Sequence, residues 1–436
     1  MYMSDWGSAY FDPYDLAAPK LITGGRGNRS FFSNKTFDAL MTQAATSNNT
    51  QLRRADYFKA QQILYSQVPW VFGYYLDNVQ VASSRLKGWQ PYEDGMEPMA
   101  RVTPNGSSTV TVALPTNAIL TLDPTASYSD RSTEEVIQNV FDSLVTLSPG
   151  RTILPQLATR WAVSQGGLTY TFTLRRNVTF QNGQPFTSQD VVFTADRLLG
   201  LGAFQGHPST RAALIDPPGD ALTVGAEGPY TVVFHFQKPF PLFLYGLVHM
   251  EIVPHVYYQK VGAAQFALHP IGTGPFSYQS GSYSGPIVLA RNSRYWGGAP
   301  KIAKLVFLPE PDPESTMAGL LSGSIDVGTD LPFDQLSQFE NNPQFQVKEI
   351  PGTRAYFIEL NNKLPPFNNR NVRLAFNYAI DWNTILAAIY GNHAHRMATA
   401  FLPSGFGFDP HIHPYPYDPA KAVELLHAAG YEAHVP

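Results

Sequence analysis

Between residues 169 and 199 the hydrophobic period of this chain changes from two to about 3.6. Residues 169–174 alternate Thr with Tyr170, Phe172 and Leu174, the pattern of a strand with one buried face. A turn follows at Asn182-Gly183. Thr187-Ser188-Gln189-Asp190 then resembles a capping box and predicts an apolar helix over 191–199. Both periods in close succession predict a mixed α/β chain. Residues 134–145 agree, because Val136, Ile137, Val140, Phe141 and Leu144 fall on one helical face. Val372, Phe376, Ala379 and Ile380 form another stripe, with Gly391 as a stop. A last helix is capped by Asp418, starts at Pro419, turns Ala422, Leu425, Leu426 and Ala429 inward, and ends at Gly430.

A chain of 436 residues is long enough for two or three lobes, each with its own core. Hydrophobic residues make up 44% and charged residues 15%, which excludes a disordered or coiled-coil chain. A net charge of −4 gives no basic footprint for nucleic acid or an anionic membrane. There is no cysteine, so disulfides, thiolate metal sites and cysteine nucleophiles are all excluded. No apolar run reaches the roughly 18–20 residues of a membrane span, and the start carries no charged segment leading into an apolar one. With 6 Trp, 23 Tyr and 28 Phe the chain is rich in rings. Most such rings belong to cores; some Tyr and Trp suit the wall of a binding cleft, apolar on the face and polar at the tip.

Catalytic signatures are missing. His393-Ala394-His395 and His411-Ile412-His413 are His-x-His pairs without an accompanying carboxylate cluster, and read as loop histidines. Gly281-Ser282-Tyr283-Ser284-Gly285 is out of phase with a nucleophile elbow and lies in a hairpin-like loop. Glu134-Glu135 is expected on an exposed helix start, where the dipole alone accounts for it. No phosphate loop, dinucleotide fingerprint or cofactor motif occurs. The chain is therefore expected to be no enzyme, with no catalytic residue, no metal site and no cofactor.

From residue 109 onward, a series of short motifs resembles the extracellular solute-binding proteins of family 5, the peptide/nickel-binding family. In that family's order come Leu122-Asp123-Pro124, Leu154-Pro155-Gln156-Leu157-Ala158 with Trp161, and residues 167–175 with 178–183. Pro270-Ile271-Gly272-Thr273-Gly274-Pro275-Phe276, Asn292 with Tyr295-Trp296, and Ser322-Gly323-Ser324-Ile325-Asp326-Val327 follow, then residues 372–380 and 417–426. Residues 1–103 resemble the same family's C-terminal part: Trp6 and Asp12-Pro13, Phe37-Asp38-Ala39-Leu40, Val68-Pro69-Trp70-Val71 and Lys87-Gly88-Trp89. The segments thus stand in rotated order. A circular permutation or a segment read across two tandem copies would give this order. The lack of the family's stretch between Tyr431 and Trp6 favours the second.

The resemblance implies a periplasmic-binding-protein-like α/β fold of class II. It would have three lobes with a hinge between two mixed α/β lobes, be permuted, and lack part of the third lobe. Lobe I would take residues 76–145 and 270–350, with a polar linker at about 97–108. Lobe II would take 146–269, and lobe III 351–436 with 1–75. The implied function is the substrate-binding component of an ABC importer, capturing an oligopeptide-like or oligosaccharide ligand in an interlobe cleft. The alternatives are a metal-chelate (nickel-type) binder or, from another class, a hydrolase. ABC permease subunits are the implied partners, the chain is expected to be a monomer, and its implied place is extracytoplasmic.

The implied ligand residues fall in two places. The loop after the Asp-Pro pair carries Tyr128, Ser129 and Asp130, of which Asp130 also suits a helix cap. Around Trp6, the family places an amine-anchoring Asp three residues after the Trp, and here that position is Ala9. Alanine cannot pair with an ammonium, so a ligand without an essential free amine is expected, with Trp6, Tyr10 and Tyr356 as stacking faces. Asp5 or Asp12 stands as a nearby acidic substitute, although Asp12 matches the family's structural Asp-Pro.

Overall fold

The computed structural model describes residues 1–7, 11–92, 96–126, 130–216, 222–432 and 434. It divides into two compact units, Met1–Asp77 with Pro351–Pro436, and Asn78–Ile350. The chain passes between them twice, at 77/78 and at 350/351. No described helix is long and apolar enough to cross a membrane.

The first unit is built on a four-stranded antiparallel sheet in the order Tyr2–Gly7, Arg354–Glu359, Trp70–Leu76, Ala394–Arg396. One face buries Ala355 and Phe357 with Trp70 and Phe72 under the helices Pro13–Leu21, Lys35–Ala45 and Thr50–Gln67. Trp70 and Phe357 stack at 3.8 Å. The other face packs Val71 and Tyr74 against Trp382 and Leu386 of the helix Trp382–Tyr390. The stripe ending at Gly391 is therefore two helices. Arg370–Ala379 stops at Ile380, and Asp381 caps the next through Thr384 N at 3.2 Å. The last helix, Pro419–Ala428, has its cap at Asp418, whose carboxylate accepts from Lys421 N. Only Ala422 of its stripe is buried; Leu425, Leu426 and Ala429 are half-buried.

The second unit holds a seven-stranded mixed sheet and a four-stranded antiparallel one. The larger runs Phe276–Gly281, Ile287–Arg291, Lys304–Pro309, Thr109–Leu114, Val327–Thr329, Asn78–Ser83, Phe345–Ile350. Thr109–Leu114 lies parallel to both of its neighbours. The smaller runs Thr223–Ala226, Thr231–His235, Thr169–Leu174, Ala158–Ser164. Its inward residues Tyr170 and Phe172 meet Phe234 and Phe243 edge to face. The following helix is Ser188–Leu199, with the reciprocal Thr187/Asp190 cap in place.

Two local expectations change. The helix over 134–145 is Arg131–Val140, and the chain leaves it at Phe141 in extended backbone. Asp142 draws it away: its buried carboxylate accepts from Gln156, Thr273, Tyr295 and Trp296 at 2.8–3.1 Å. Leu144 is buried all the same, but from the segment entering the strand Val145–Leu147. Within 97–108, Glu97, Met99 and Val102 are buried, because Met99 and Val102 complete the core beneath the large sheet. Only residues 105–108 form an exposed polar turn.

The Gly-Thr-Gly pair serves this same helix end. Gly274 N donates to Val140 O at 3.0 Å, and a Cβ on Gly272 would lie 2.2 Å from that oxygen. Gly272→Ala is expected to lower the unfolding free energy of this unit by about 1–3 kcal/mol. Gly225→Ala, where a Cβ meets nothing within 4 Å, should shift it by under about 0.5 kcal/mol. Urea titrations followed by tryptophan fluorescence compare the two.

Candidate functional site

Asp5, Trp6 and Tyr356 lie on adjacent strands of the first unit, and strand alternation sorts them. Asp5 is paired in register with Tyr356, so their side chains share one face of the sheet, and Trp6 opposite Ala355 points to the other. Asp5 forms an ion pair with Arg354. Tyr356 stacks on Tyr74 at 5.1 Å, and the Tyr74 hydroxyl lies 3.1 Å from that of Tyr390. Burial and these neighbouring hydroxyls push the Tyr74 phenol well above its ordinary range.

On the opposite face, the Trp6 indole N–H donates to Asp15 O at 3.1 Å. Its ring has Lys20 at 5.3 Å and Arg26 at 5.0 Å. Lys20 is in turn buried against Glu359 at 2.6 Å and donates to Ser4 Oγ at 3.0 Å. Trp6 thus covers a buried ion pair. Ala9 and Tyr10 lie outside the described residues, as do Tyr128 and Ser129.

Just beyond position 10, an apolar hollow of about 280 Å³ opens among Phe11, Leu16, Thr353, Ala400, Leu402 and Ser404. Asp12 contributes to its floor. Its carboxylate accepts from Arg53 at 2.6 Å, Tyr57 at 2.5 Å and Tyr14 N at 3.0 Å, while it caps the helix Pro13–Leu21. Burial raises its pKa, although Arg53 and these hydrogen bonds oppose the rise. With these three donors Asp12 is committed to the fold and leaves the hollow apolar.

In the second unit, Asp130 caps the helix Arg131–Val140 by accepting from Thr133 N at 2.8 Å. That helix borders a second hollow of about 270 Å³, lined by Val112 to Pro115 at the end of a strand, with Arg131, Glu135, Glu97 and Thr329. Both Glu135 oxygens accept from Glu97 N, at 3.1 and 3.0 Å. The Glu97 carboxylate is itself buried, and no described donor comes within hydrogen-bond geometry of either oxygen. Burial pushes its pKa up to about 7, against the smaller opposing effects of Arg131 and the Trp89 indole.

Sequence reasoning missed Glu97 and Arg354. The first had a signal, an acid set directly among Met96, Pro98 and Met99; the second, a charge at a strand's first residue, had none. Of the His-x-His pairs, His395 lies 2.5 Å from Asp77, and no cluster of three metal-ligating side chains occurs among the described residues.

Residues 152–435 match the description of bacterial extracellular solute-binding proteins, family 5 Middle. The chain belongs to that family. The glutathione-binding protein GsiB of Salmonella typhimurium is 29% identical over 325 residues, which cover 74% of this chain and 61% of that protein. This solute-binding protein therefore spans about three fifths of the length of such curated relatives. Among solved structures, the periplasmic binding protein DppA of Helicobacter pylori with the peptide STSA aligns with a TM-score of 0.62 at 27% identity. That alignment covers 74% of this chain and 66% of the other. The dipeptide-binding protein of Pseudoalteromonas with Met-Leu shares the fold, with a TM-score of 0.64 at 23% identity over 74% of this chain and 67% of that one.

Glu97 yields a pH test. Its folded pKa is raised to about 7 from 4.5, so the folded state prefers the protonated acid. Stability from this group is full below about pH 4.5, declines as pH rises, and levels off above about pH 7. The loss amounts to about 3 kcal/mol at roughly 1.4 kcal/mol per unit. Glu97→Gln should remove that slope and unfold at higher denaturant than the wild type at pH 8, with little difference at pH 4.5. Equal slopes for the two proteins between pH 5 and 8 would count against a protonated Glu97.

Proposed function

We propose that this protein is the substrate-capturing component of an ABC importer, working outside the cytoplasm with permease subunits and binding an oligopeptide-like or oligosaccharide solute. The observation that carries this reading is the family match over residues 152–435. The two-unit build supports it, since a protein that closes on a solute needs bodies joined by few crossings, and the chain crosses only twice. The relatives above bind glutathione and short peptides, which supports the peptide-like class. A protein of this family has no need of catalytic groups, and the reading is of a binding protein and not an enzyme.

The ligand groups we assign are Asp5, Trp6, Ala9, Tyr10 and Tyr356 from the first unit and Tyr128, Ser129 and Asp130 from the second. Asp5 already has Arg354 as its partner, and the hollow beside Phe11 is apolar, which favours a ligand recognised without a free amine. Thermal unfolding tests this with glutathione, the tetrapeptide Ser-Thr-Ser-Ala, its N-acetylated form, and maltotriose. A solute at about 100 times its Kd should add about 2.7 kcal/mol and visibly raise the midpoint. Acetylation of the tetrapeptide is expected to leave the shift unchanged; a shift that vanishes on acetylation would refute the amine-independent site.

We also propose the lobe division given above and the rotated order of its segments. In support, residues 1–77 share a compact unit with 351–436, and Asn78–Ser83 sits in one sheet with Thr109–Leu114. If the join near Gly106 is only a connection, cutting there should be tolerated. A protease site placed between the exposed Asn105 and Gly106 should yield two pieces that co-elute in native buffer and part only in denaturant. Separation in native buffer would argue against it.

A further inference from the structure

In the second unit, two arginines reach from the layer of the four-stranded sheet to the turn at Asp123–Thr125. Arg197, on the helix Ser188–Leu199, meets both carboxylate oxygens of Asp123, at 3.3 and 2.7 Å. Its guanidinium lies 3.8 Å from the centre of the Tyr258 ring, a geometry lysine does not reproduce. Arg211, only 3% exposed, donates to Pro124 O at 2.8 Å and pairs with Glu251 at 3.3 Å. Ser209 Oγ donates to Thr125 O at 2.7 Å. Asp123 Oδ1 closes the turn by accepting from both Thr125 N and Thr125 Oγ1. Arg211 also acts electrostatically on Glu134, in the first turn of the helix that Asp130 caps.

These contacts are more than packing requires. A buried guanidinium aimed at a backbone carbonyl holds that carbonyl in one place, and a two-point contact with Asp123 sets the direction in which the turn leaves. Between them, the arginines bear on the chain before residue 127 and on the helix after residue 130.

We propose that Arg197 and Arg211 are positioning residues for ligand capture, a buried two-arginine clamp that sets the approach to Asp130. This rests on the functional reading above. The clamp makes the layer containing Arg197, Arg211 and Glu251 part of the recognition apparatus without any contact of its own with the solute.

The test pairs hydrogen exchange with binding. Arg211→Gln combined with Glu251→Gln removes both buried charges and avoids leaving Glu251 unpaired, while the shorter amide cannot reach Pro124 O. Arg197→Lys keeps the charge and loses the two-point contact. As a control, Arg85→Gln breaks the pair with Asp326 elsewhere in the same unit. In the ligand-free protein, both clamp variants should speed amide exchange at least tenfold over residues 121–133 and leave 169–174 unchanged. Their Kd for whichever of the four solutes binds the wild type should weaken about tenfold or more. The control should lower the unfolding midpoint and leave both readings as in the wild type. Unchanged exchange over 121–133, acceleration spread evenly over the unit, or unaltered Kd with accelerated exchange would overturn the clamp. Should none of the solutes bind the wild type, the functional reading fails separately and the capture role falls with it, while the exchange data still decide whether the clamp holds the turn.

Discussion

The strand Arg354–Glu359 has both of its edges filled by chain made hundreds of residues earlier, and the first unit depends on that constraint. Tyr2–Gly7 covers one edge and Trp70–Leu76 the other. An interior strand left without either would present a row of unmet N–H and C=O groups. Its two faces are committed as firmly, Phe357 against Trp70 and Tyr356 against Tyr74. Glu359 at its end is buried and accepts from Lys20 and from Arg29 N. Leaving that carboxylate unpaired would cost several kcal/mol, so the ion pair constrains how residues 1–77 dock on 351–436.

In the second unit, buried charge is managed in three ways. Asp142 is surrounded by four neutral donors and Asp123 and Glu251 by arginines, while neither Glu97 oxygen has a described donor in hydrogen-bond geometry and burial outweighs the pull of Arg131 and Trp89. The first two surround a buried carboxylate with donors or cations, while burial of Glu97 favours its neutral acid. Where donors were supplied they also redirect the backbone. Asp142 ends a helix, and Asp123 closes the turn to Thr125.

Local signals were legible wherever a single segment contains its own cause. The Thr187/Asp190 cap, the alternation at 169–174 and the Asp418-Pro419 start need only their neighbours in sequence. The helix over 134–145 failed because its stop lies in Thr273, Tyr295 and Trp296, far along the chain. The stretch 97–108 misled because its polar residues conceal Met99 and Val102, which a distant sheet buries. At the candidate site, the resemblance singled out Asp5 and Trp6, but neither their opposite facing on the strand Tyr2–Gly7 nor their partners was read from the sequence. Arg354 reaches Asp5 only through strand pairing across more than three hundred residues, and Lys20, close to Trp6 in sequence, is fixed there by Glu359 from equally far along the chain.

The continuous span Asn78–Ile350 interrupts the other unit in sequence. On the ribosome this has a timing consequence. All of 78–350 must be made between residues 1–77 and the arrival of Arg354–Glu359, roughly tens of seconds at about 5–20 residues per second. The inserted unit has that interval to fold by itself. The first segment must wait that interval for Ala355, Phe357, Met397 and Phe401, which complete the core that Trp70 and Phe72 begin.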